Sequence, residues 1–259
     1  MPDRSTPWPE GTPTWLDLAA DDVESATAFY SDLFGWAYES GGEESGGYLL
    51  ARLDGMAVAG IGPKQGAHGP TAWTTYLAAD DADAVVAAVG RAGGQVLAGP
   101  VDVMGSGRMA VAMDTVGAVF GIWQAGSHIG AERVDEHGSS CWNELHTRDH
   151  DAARRFYAEV FGATFGELFG DDLVYSVLKR ASDGKEVAGV YRDDHLLAGV
   201  PDHWLAWFAS DDADASTARA VELGARVLVP AADSAFGRMS VVEGPQGEAF
   251  GLISLPSEP

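Results

Sequence analysis

The sequence predicts an α+β protein made of two tandem copies of one half-chain, each copy holding two strand-helix-strand-strand-strand modules. Two observations predict it. Residues 15–36 carry Trp15, Asp17, Leu18, Asp22, Phe29-Tyr30 and Phe34-Gly35, and the same spacing returns 127 residues later as Trp142, Glu144, Leu145, Asp149, Phe156-Tyr157 and Phe161-Gly162. A period this long marks two related domains rather than a solenoid unit. Within each copy, short stretches of alternating apolar residues flank single stretches with helical spacing.

The elements follow in order. Residues 1–12 are rich in Pro, Gly and Thr and form an extended lead-in. Residues 15–20 alternate, with Leu16, Leu18 and Ala20 on one face and Trp15, Asp17 and Ala19 on the other, as in a two-faced strand. Asp21-Asp22 supplies a helix cap. Val23 to Leu33 has helical spacing with Ala26, Phe29, Tyr30 and Leu33 on one side, and Gly35 ends it. Gly41 to Gly47 is a polar loop, and residues 48–62 form two strands around an Asp54-Gly55 hairpin turn. The order repeats at once. Trp73 to Ala79 is a strand, and Asp80-Asp81 caps a helix to about Arg91, which Gly93-Gly94 stops. Three strands follow at 95–102, 107–113 and 118–124. In the first unit of each half the third strand after the helix is hard to see. The C-terminal half gives strand 141–147, helix 150–160, strands near 173–180 and 186–191, strand 203–209, helix 212–222 and strands near 225–229, 237–243 and 248–254. The expected domains are 13–125 and 140–257, joined by a linker over 126–139.

Composition sets limits on partners. The formal net charge is −23, with 46% hydrophobic and 21% charged residues, and the pI is about 4.4. Such acidity argues against nucleic acid and anionic membranes, both of which attract basic patches. A single cysteine, Cys141, excludes an intrachain disulfide and fits a reduced, cytoplasmic setting. The N-terminal residues lack the apolar core of a secretory signal, and no apolar run approaches the ~20 residues of a membrane span. Cys141 has no neighbour that would lower its pKa and is a poor candidate nucleophile. Walker, Gly-x-Gly-x-x-Gly, Gly-x-Ser-x-Gly and paired-cysteine zinc motifs are absent.

Four such modules in two tandem pairs resemble the vicinal oxygen chelate superfamily of glyoxalase I, bleomycin resistance proteins and extradiol dioxygenases. The resemblance runs from about Thr14 to Leu255. It rests on Asp22, Ala26, Phe29-Tyr30 and Leu33-Phe34-Gly35-Trp36 with their copy Asp149, Ala153, Phe156-Tyr157 and Val160-Phe161-Gly162. It rests also on Asp81, Asp83 and Ala87 before Gly93-Gly94, and on Asp114, Gly117 and Phe120 with their copy Gly244, Gly247 and Phe250. More narrowly, the chain resembles two-domain actinobacterial glyoxalase-like proteins often labelled hydroxylases. The resemblance implies two half-open β-barrel cups. It also implies a divalent metal on each cup floor, held by His, Gln or Glu on the first, fifth and last strands, which acts as a Lewis acid toward two adjacent substrate oxygens.

This chain departs from that pattern. The first-strand positions hold Trp15 and Trp142. The fifth-strand positions hold Thr74 and Leu205, or Trp73 and Trp204 with a one-residue slip. The last-strand positions hold Gly121 and Gly251. Indole, leucine and glycine are not metal ligands. The sequence therefore predicts no metal and no cofactor. The cup-facing set becomes aromatic and soft: Trp15, Asp17, Tyr76, Met109 and Trp123 in the first half, and Trp142, Glu144, Trp207, Arg238 and Met239 in the second. Indole rings on a concave face suit flat apolar ligands. Asp17 and Glu144 are placed to orient a ligand hydroxyl or amine, and Arg108 and Arg238 to meet an anion. Trp73 and Trp204 are expected on the helix-facing side.

Three functions compete. The leading one is a metal-independent cup protein that binds a small aromatic or polyketide-like molecule. The second is a lyase or an oxygenase or hydroxylase-type enzyme whose catalytic residues are Glu144 and His146, two apart on one strand face, placed to pair as acid and base or to bind a metal, with activity in the second cup alone. The third is a non-catalytic regulatory or interaction module. His150 is expected exposed at a helix start, and His68, His128, His137 and His195 in loops. A monomer with two pseudo-symmetric halves is expected, with a dimer as the alternative.

Overall fold

The structure, a computed structural model, describes residues 3–64, 69–169, 174–197 and 199–254. His68 and the last expected domain residues, 255–257, lie outside these. The first half runs β1 (Pro13–Ala20), α1 (Val23–Phe34), β2 (Ala37–Ser40), β3 (Leu49–Leu53), β4 (Met56–Pro63), β5 (Ala72–Ala78), α2 (Ala82–Arg91), β6 (Gln95–Val103), β7 (Gly107–Met113) and β8 (Val119–Ala125). The second half runs β9 (Ser140–Thr147), α3 (His150–Phe161), β10 (Thr164–Phe169), β11 (Val174–Lys179), β12 (Glu186–Arg192), β13 (His203–Ala209), α4 (Ala213–Glu222), β14 (Arg226–Ser234), β15 (Gly237–Glu243) and β16 (Ala249–Ser254). The strand that was hard to see is β2, four residues long, and its copy β10.

Local chemistry explains the boundaries. The side chains of Asp22, Asp81, Asp149 and Asp212 each accept from helical N–H groups at the starts of α1 to α4. Gly35 and Gly162 end α1 and α3 in the left-handed conformation, at φ 75° and 63°. The β3–β4 turn puts both Asp54 and Gly55 at positive φ, as a tight two-residue hairpin requires.

Each half forms one eight-stranded sheet, in the order β2-β3-β4-β1-β5-β8-β7-β6 and β10-β11-β12-β9-β13-β16-β15-β14. The outer strands do not pair, so each sheet curls without closing. The first strand of each module runs parallel to that module's last, as in β1–β4 and β5–β8, and the two modules join antiparallel at β1–β5 and β9–β13. One face of each sheet carries the helices and the other forms the cup.

The helix faces pack crosswise between the halves. One apolar core joins α2, β7 and β8 to α3, β11 and β12 around Phe120, Phe156 and Tyr157. The other joins α1, β1, β3 and β4 to α4, β15 and β16 around Tyr30, Phe208 and Phe250. A polar bond crosses each core. Trp204 Nε1 donates to Tyr157 (2.9 Å), whose hydroxyl donates to Asp114 of the other half at 2.9 Å. Trp73 Nε1 donates to Tyr30 (3.0 Å), whose hydroxyl donates to Glu248 at 3.2 Å. Trp73 and Trp204 thus face the helices, and the repeated Phe-Tyr pair is what ties the halves together. Between the sheets, Thr75 Oγ1 donates to Asn143 Oδ1 at 2.7 Å. No helix among the described residues is long and apolar enough to cross a membrane.

Removing one hydroxyl takes the side-chain donor from a buried carboxyl and the acceptor from a buried tryptophan N–H, which costs about 1–3 kcal/mol. Tyr157→Phe is expected to lower unfolding free energy by that amount in urea titration, and Tyr157→Phe with Tyr30→Phe to lower it about additively, because the two bonds share no partner.

Candidate functional site

The cup floors are built by register. Trp15 on β1 lies opposite Tyr76 on β5, and Tyr76 lies beside Gly121 on β8. In the second half Trp142 lies opposite Trp207, and Trp207 beside Gly251. Thr74 and Leu205 instead pair with Asp17 and Glu144, one step along. Met109 and Met239 stand on the same cup faces.

A second aromatic layer was not picked out from the sequence. Tyr48 reaches over Gly60, where a Cβ would fall 1.8 Å from its hydroxyl, and Tyr175 reaches over Gly189, where the distance would be 1.9 Å. Trp15 Nε1 donates to both Asp17 Oδ1 and Tyr48 Oη at 2.8 Å, and the Tyr48 hydroxyl donates to Asp17. Trp142 Nε1 donates to Tyr175 Oη at 2.9 Å. Each floor therefore carries a tryptophan, a tyrosine and an acid together. The signal was available, since Tyr48 and Tyr175 also sit 127 residues apart. Burial pushes the Asp17 carboxyl up in pKa, while hydrogen bonds from Tyr48, Trp15 and Tyr76 pull it back. Burial also raises Tyr48, Tyr76 and Tyr175, which stay protonated donors.

The two cups differ in what covers them. Linker residues 128–134 cross the first cup. The Ala131 N–H donates to the Thr14 carbonyl and the Glu132 N–H to the Ala57 carbonyl, so Ala131 and Val134 pack onto Trp15, Tyr76 and Trp123. His128 is not a free loop residue. Its ring stands edge-on to Trp15, 4.3 Å between centroids, and burial lowers its pKa to about 4. Among the described residues, the matching cluster of the second cup comes from the sheet: Leu205, Trp207 and Ile253, with Cys141, Trp142, Met239, Val241 and Ala249 around them.

The second cup also holds the charged cluster. Glu144 Oε1 lies 2.8 Å from His146 Nε2, and Asp193 Oδ2 lies 2.9 Å from His146 Nδ1. His203 stacks on His146 at 5.4 Å and Tyr191 meets it edge-on at 5.3 Å. Burial opposes protonation of His146, but Asp193 and Glu144 outweigh it and carry the pKa up to about 9. Asp193, the partner that sequence spacing did not supply, is held low chiefly by its bond to His146. The first cup has Ala19 in place of His146.

Other expected residues lie elsewhere. Arg238 sits on the helix-facing side, paired with Asp214 and with Asp233 at 3.0 Å, and Arg108 pairs with Asp83 at 2.8 Å and Asp102 at 3.2 Å. His150 is buried rather than exposed, because the first turn of α3 packs against β12. Cys141 is pushed up to about 12 by burial, which leaves it a poor nucleophile. A recess of about 620 Å³ is lined by Asp54, Arg133, Glu136 and Asp211, away from both floors.

The residues do not fit the metal that the resemblance implies. A Cβ on Gly121 would fall 2.1 Å from the Tyr76 ring, and one on Gly251 would fall 2.0 Å from the Trp207 ring. The space a last-strand glutamate needs is filled by an aromatic ring in both cups. Trp15 and Trp142 offer no lone pair, His146 Nδ1 is engaged by Asp193, and His146 Nε2 faces Glu144 at 2.8 Å without hydrogen-bond geometry.

Gly251→Ala is accordingly expected to cost about 1–3 kcal/mol by overpacking. A double-mutant cycle with Trp207→Ala should recover most of that loss, and an undiminished cost would show that the ring is not the obstacle. His146 supplies a pH test. Its folded pKa of about 9 exceeds the ordinary 6.5, so its stabilisation is full below pH 6.5 and is lost as pH rises through 9. The unfolding midpoint should fall over that window, and His146→Gln should flatten the fall.

The family model described as Glyoxalase/Bleomycin resistance protein/Dioxygenase superfamily matches residues 12–122 and again 140–252. The chain is 43% identical over 260 residues, 98% of each chain, to the Mycobacterium tuberculosis protein named "Putative glyoxylase CFP32". It is 38% identical over 263 residues to the anthracycline biosynthesis protein DnrV of Streptomyces peucetius, covering 95% of this chain and 94% of that one. The Mn(II)-bound glyoxalase from Novosphingobium aromaticivorans shares the fold at a TM-score of 0.66 and 17% identity, over 95% of this chain and 82% of that one.

Proposed function

The chain belongs to the Glyoxalase/Bleomycin resistance protein/Dioxygenase superfamily, and from that premise we propose that it binds a flat aromatic, polyketide-like small molecule in its second cup without the family's metal. The observation that carries this is the replacement of ligand space by rings: Tyr76 over Gly121 and Trp207 over Gly251. A floor of indole and phenol rings gives a planar ligand stacking surface and apolar burial, at roughly 25 cal/mol per Å² covered. The second cup is favoured over the first because the linker already covers Trp15, Tyr76 and Trp123. A relative named for anthracycline biosynthesis supports a polycyclic aromatic ligand.

Acid–base chemistry in the same cup is the second hypothesis, favoured by the Glu144–His146–Asp193 cluster. With a pKa of about 9, His146 enters neutral solution as a proton donor rather than a base. Turnover that disappears in both Glu144→Gln and His146→Ala would establish it.

Titration with an anthracycline, followed by tryptophan quenching, is expected to saturate at one site per chain and to be unchanged by chelator. Trp142→Ala should weaken it about tenfold or more, whereas Trp15→Ala should not. One equivalent of divalent metal per chain in protein purified without chelator, with binding lost on its removal, would sink the metal-independent proposal.

A further inference from the structure

The first cup shows, with the chain's own atoms, what such a cup accepts. The ring of His128 stands edge-on to Trp15 and lies 5.5 Å from Trp123, centroid to centroid. The carbonyl oxygen of the same residue accepts the Trp123 indole N–H at 3.0 Å. The occupant is therefore a flat ring with a carbonyl beside it, held by indole faces and one indole donor.

The second cup keeps one indole in place, Trp142, and has Trp207 where the first has Tyr76 and Ile253 where it has Trp123; among the described residues no segment crosses it as the linker crosses the first. Trp15 and Trp142 give their N–H groups to neighbouring tyrosines, and Trp123 gives its own to the linker. Trp207 does not. Its side chain is only 4% exposed, its six-membered ring covers Gly251, and its buried Nε1 has no hydrogen-bond partner. Its counterpart Tyr76 bonds to Asp17. A buried donor without an acceptor is unfavourable and uncommon in folded proteins. Met239, an unbranched and adaptable side chain, packs against the Trp207 cluster and is only half-buried, so a ligand can displace it. Arg238 is engaged by Asp214 and Asp233 on the other face, while Glu144 and Asp193 outnumber the one His146 cation. The cup thus favours a neutral or cationic ligand over an anion.

We infer that the Trp207 indole N–H is the specificity-determining donor of the second cup, and that the cup selects flat aromatic ketones or quinones by receiving their carbonyl oxygen. This rests on the assignment of the second cup as an aromatic-binding site. Donor and ring do separate work: the ring contributes area to any flat hydrocarbon, and the N–H distinguishes the oxygenated one. A site with a buried donor discriminates against an analogue that leaves it unpaired.

The test uses two probes of one skeleton, 9-fluorenone and fluorene, which differ by the carbonyl. Calorimetric titration of the full chain is expected to show fluorenone binding about tenfold tighter, the ratio one net hydrogen bond supports. Trp207→Phe keeps an aromatic ring and removes the donor, so it should reduce that ratio to below about twofold by weakening fluorenone more than fluorene. The Trp207 indole resonance of the 15N-labelled wild type should move with fluorenone and stay with fluorene, a readout that does not depend on the variant folding. Equal binding of the two probes, a preference that survives Trp207→Phe, or an unmoved resonance would overturn the donor role while leaving the aromatic cup intact. Binding of neither probe would overturn the aromatic cup and the donor role with it.

Discussion

The rest of the molecule depends on two buried tyrosine–carboxyl bonds that cross between the halves. Tyr157 reaches Asp114 and Tyr30 reaches Glu248, each at the centre of an apolar core assembled from both half-chains. Burial raises the pKa of both acids, with the tyrosine bonds acting against it. Because the helices are spent on this crosswise packing, both cup faces are left to point away from it. The orientation of each candidate site is thus a by-product of how the halves are joined.

The two crossing bonds are equivalent in space and not in sequence. Asp114 offers its carboxyl from the start of the β7–β8 turn, and Val116 and Ala118 N–H groups hold it there. At the matching position the second half has Gly244, and a Cβ there would fall 2.1 Å from the carboxyl oxygen of Glu248, four residues on. The longer side chain folds back to fill the place of the shorter one. The same trade of glycine for a neighbour's bulk shapes the cups, where Gly60, Gly121, Gly189 and Gly251 make room for Tyr48, Tyr76, Tyr175 and Trp207. A family floor that would seat an ion becomes one paved with rings.

Much of this was legible in the chain. The duplication follows from the recurrence itself, and the caps at Asp22 and Asp81, the Asp54-Gly55 hairpin and the helix-facing Trp73 and Trp204 follow from local spacing, because each depends on residues a few positions apart. The pairing of Glu144 with His146 was legible for the same reason. Asp193 was not, since its place beside His146 is set by how β12 lies along β9. Tyr48 and Tyr175 share the 127-residue offset but stand in a loop and at a strand edge, where periodicity gives no sign of a cup. Alternation on β15 does place Arg238 opposite Met239, although its residue type suggested an anion site. Burial of His150 and the path of the linker are tertiary facts that no local pattern encodes.

The linker's course has one more consequence. His128 and Ala131 are tied to β8 by a handful of residues, so the occupant of the first cup never leaves its vicinity. A tethered group of this kind acts at an effective concentration of about millimolar. A diffusing compound present at about micromolar starts roughly a thousandfold behind it. Even a weak internal contact can then keep the first cup shut, and among the described residues no such tether crosses the second.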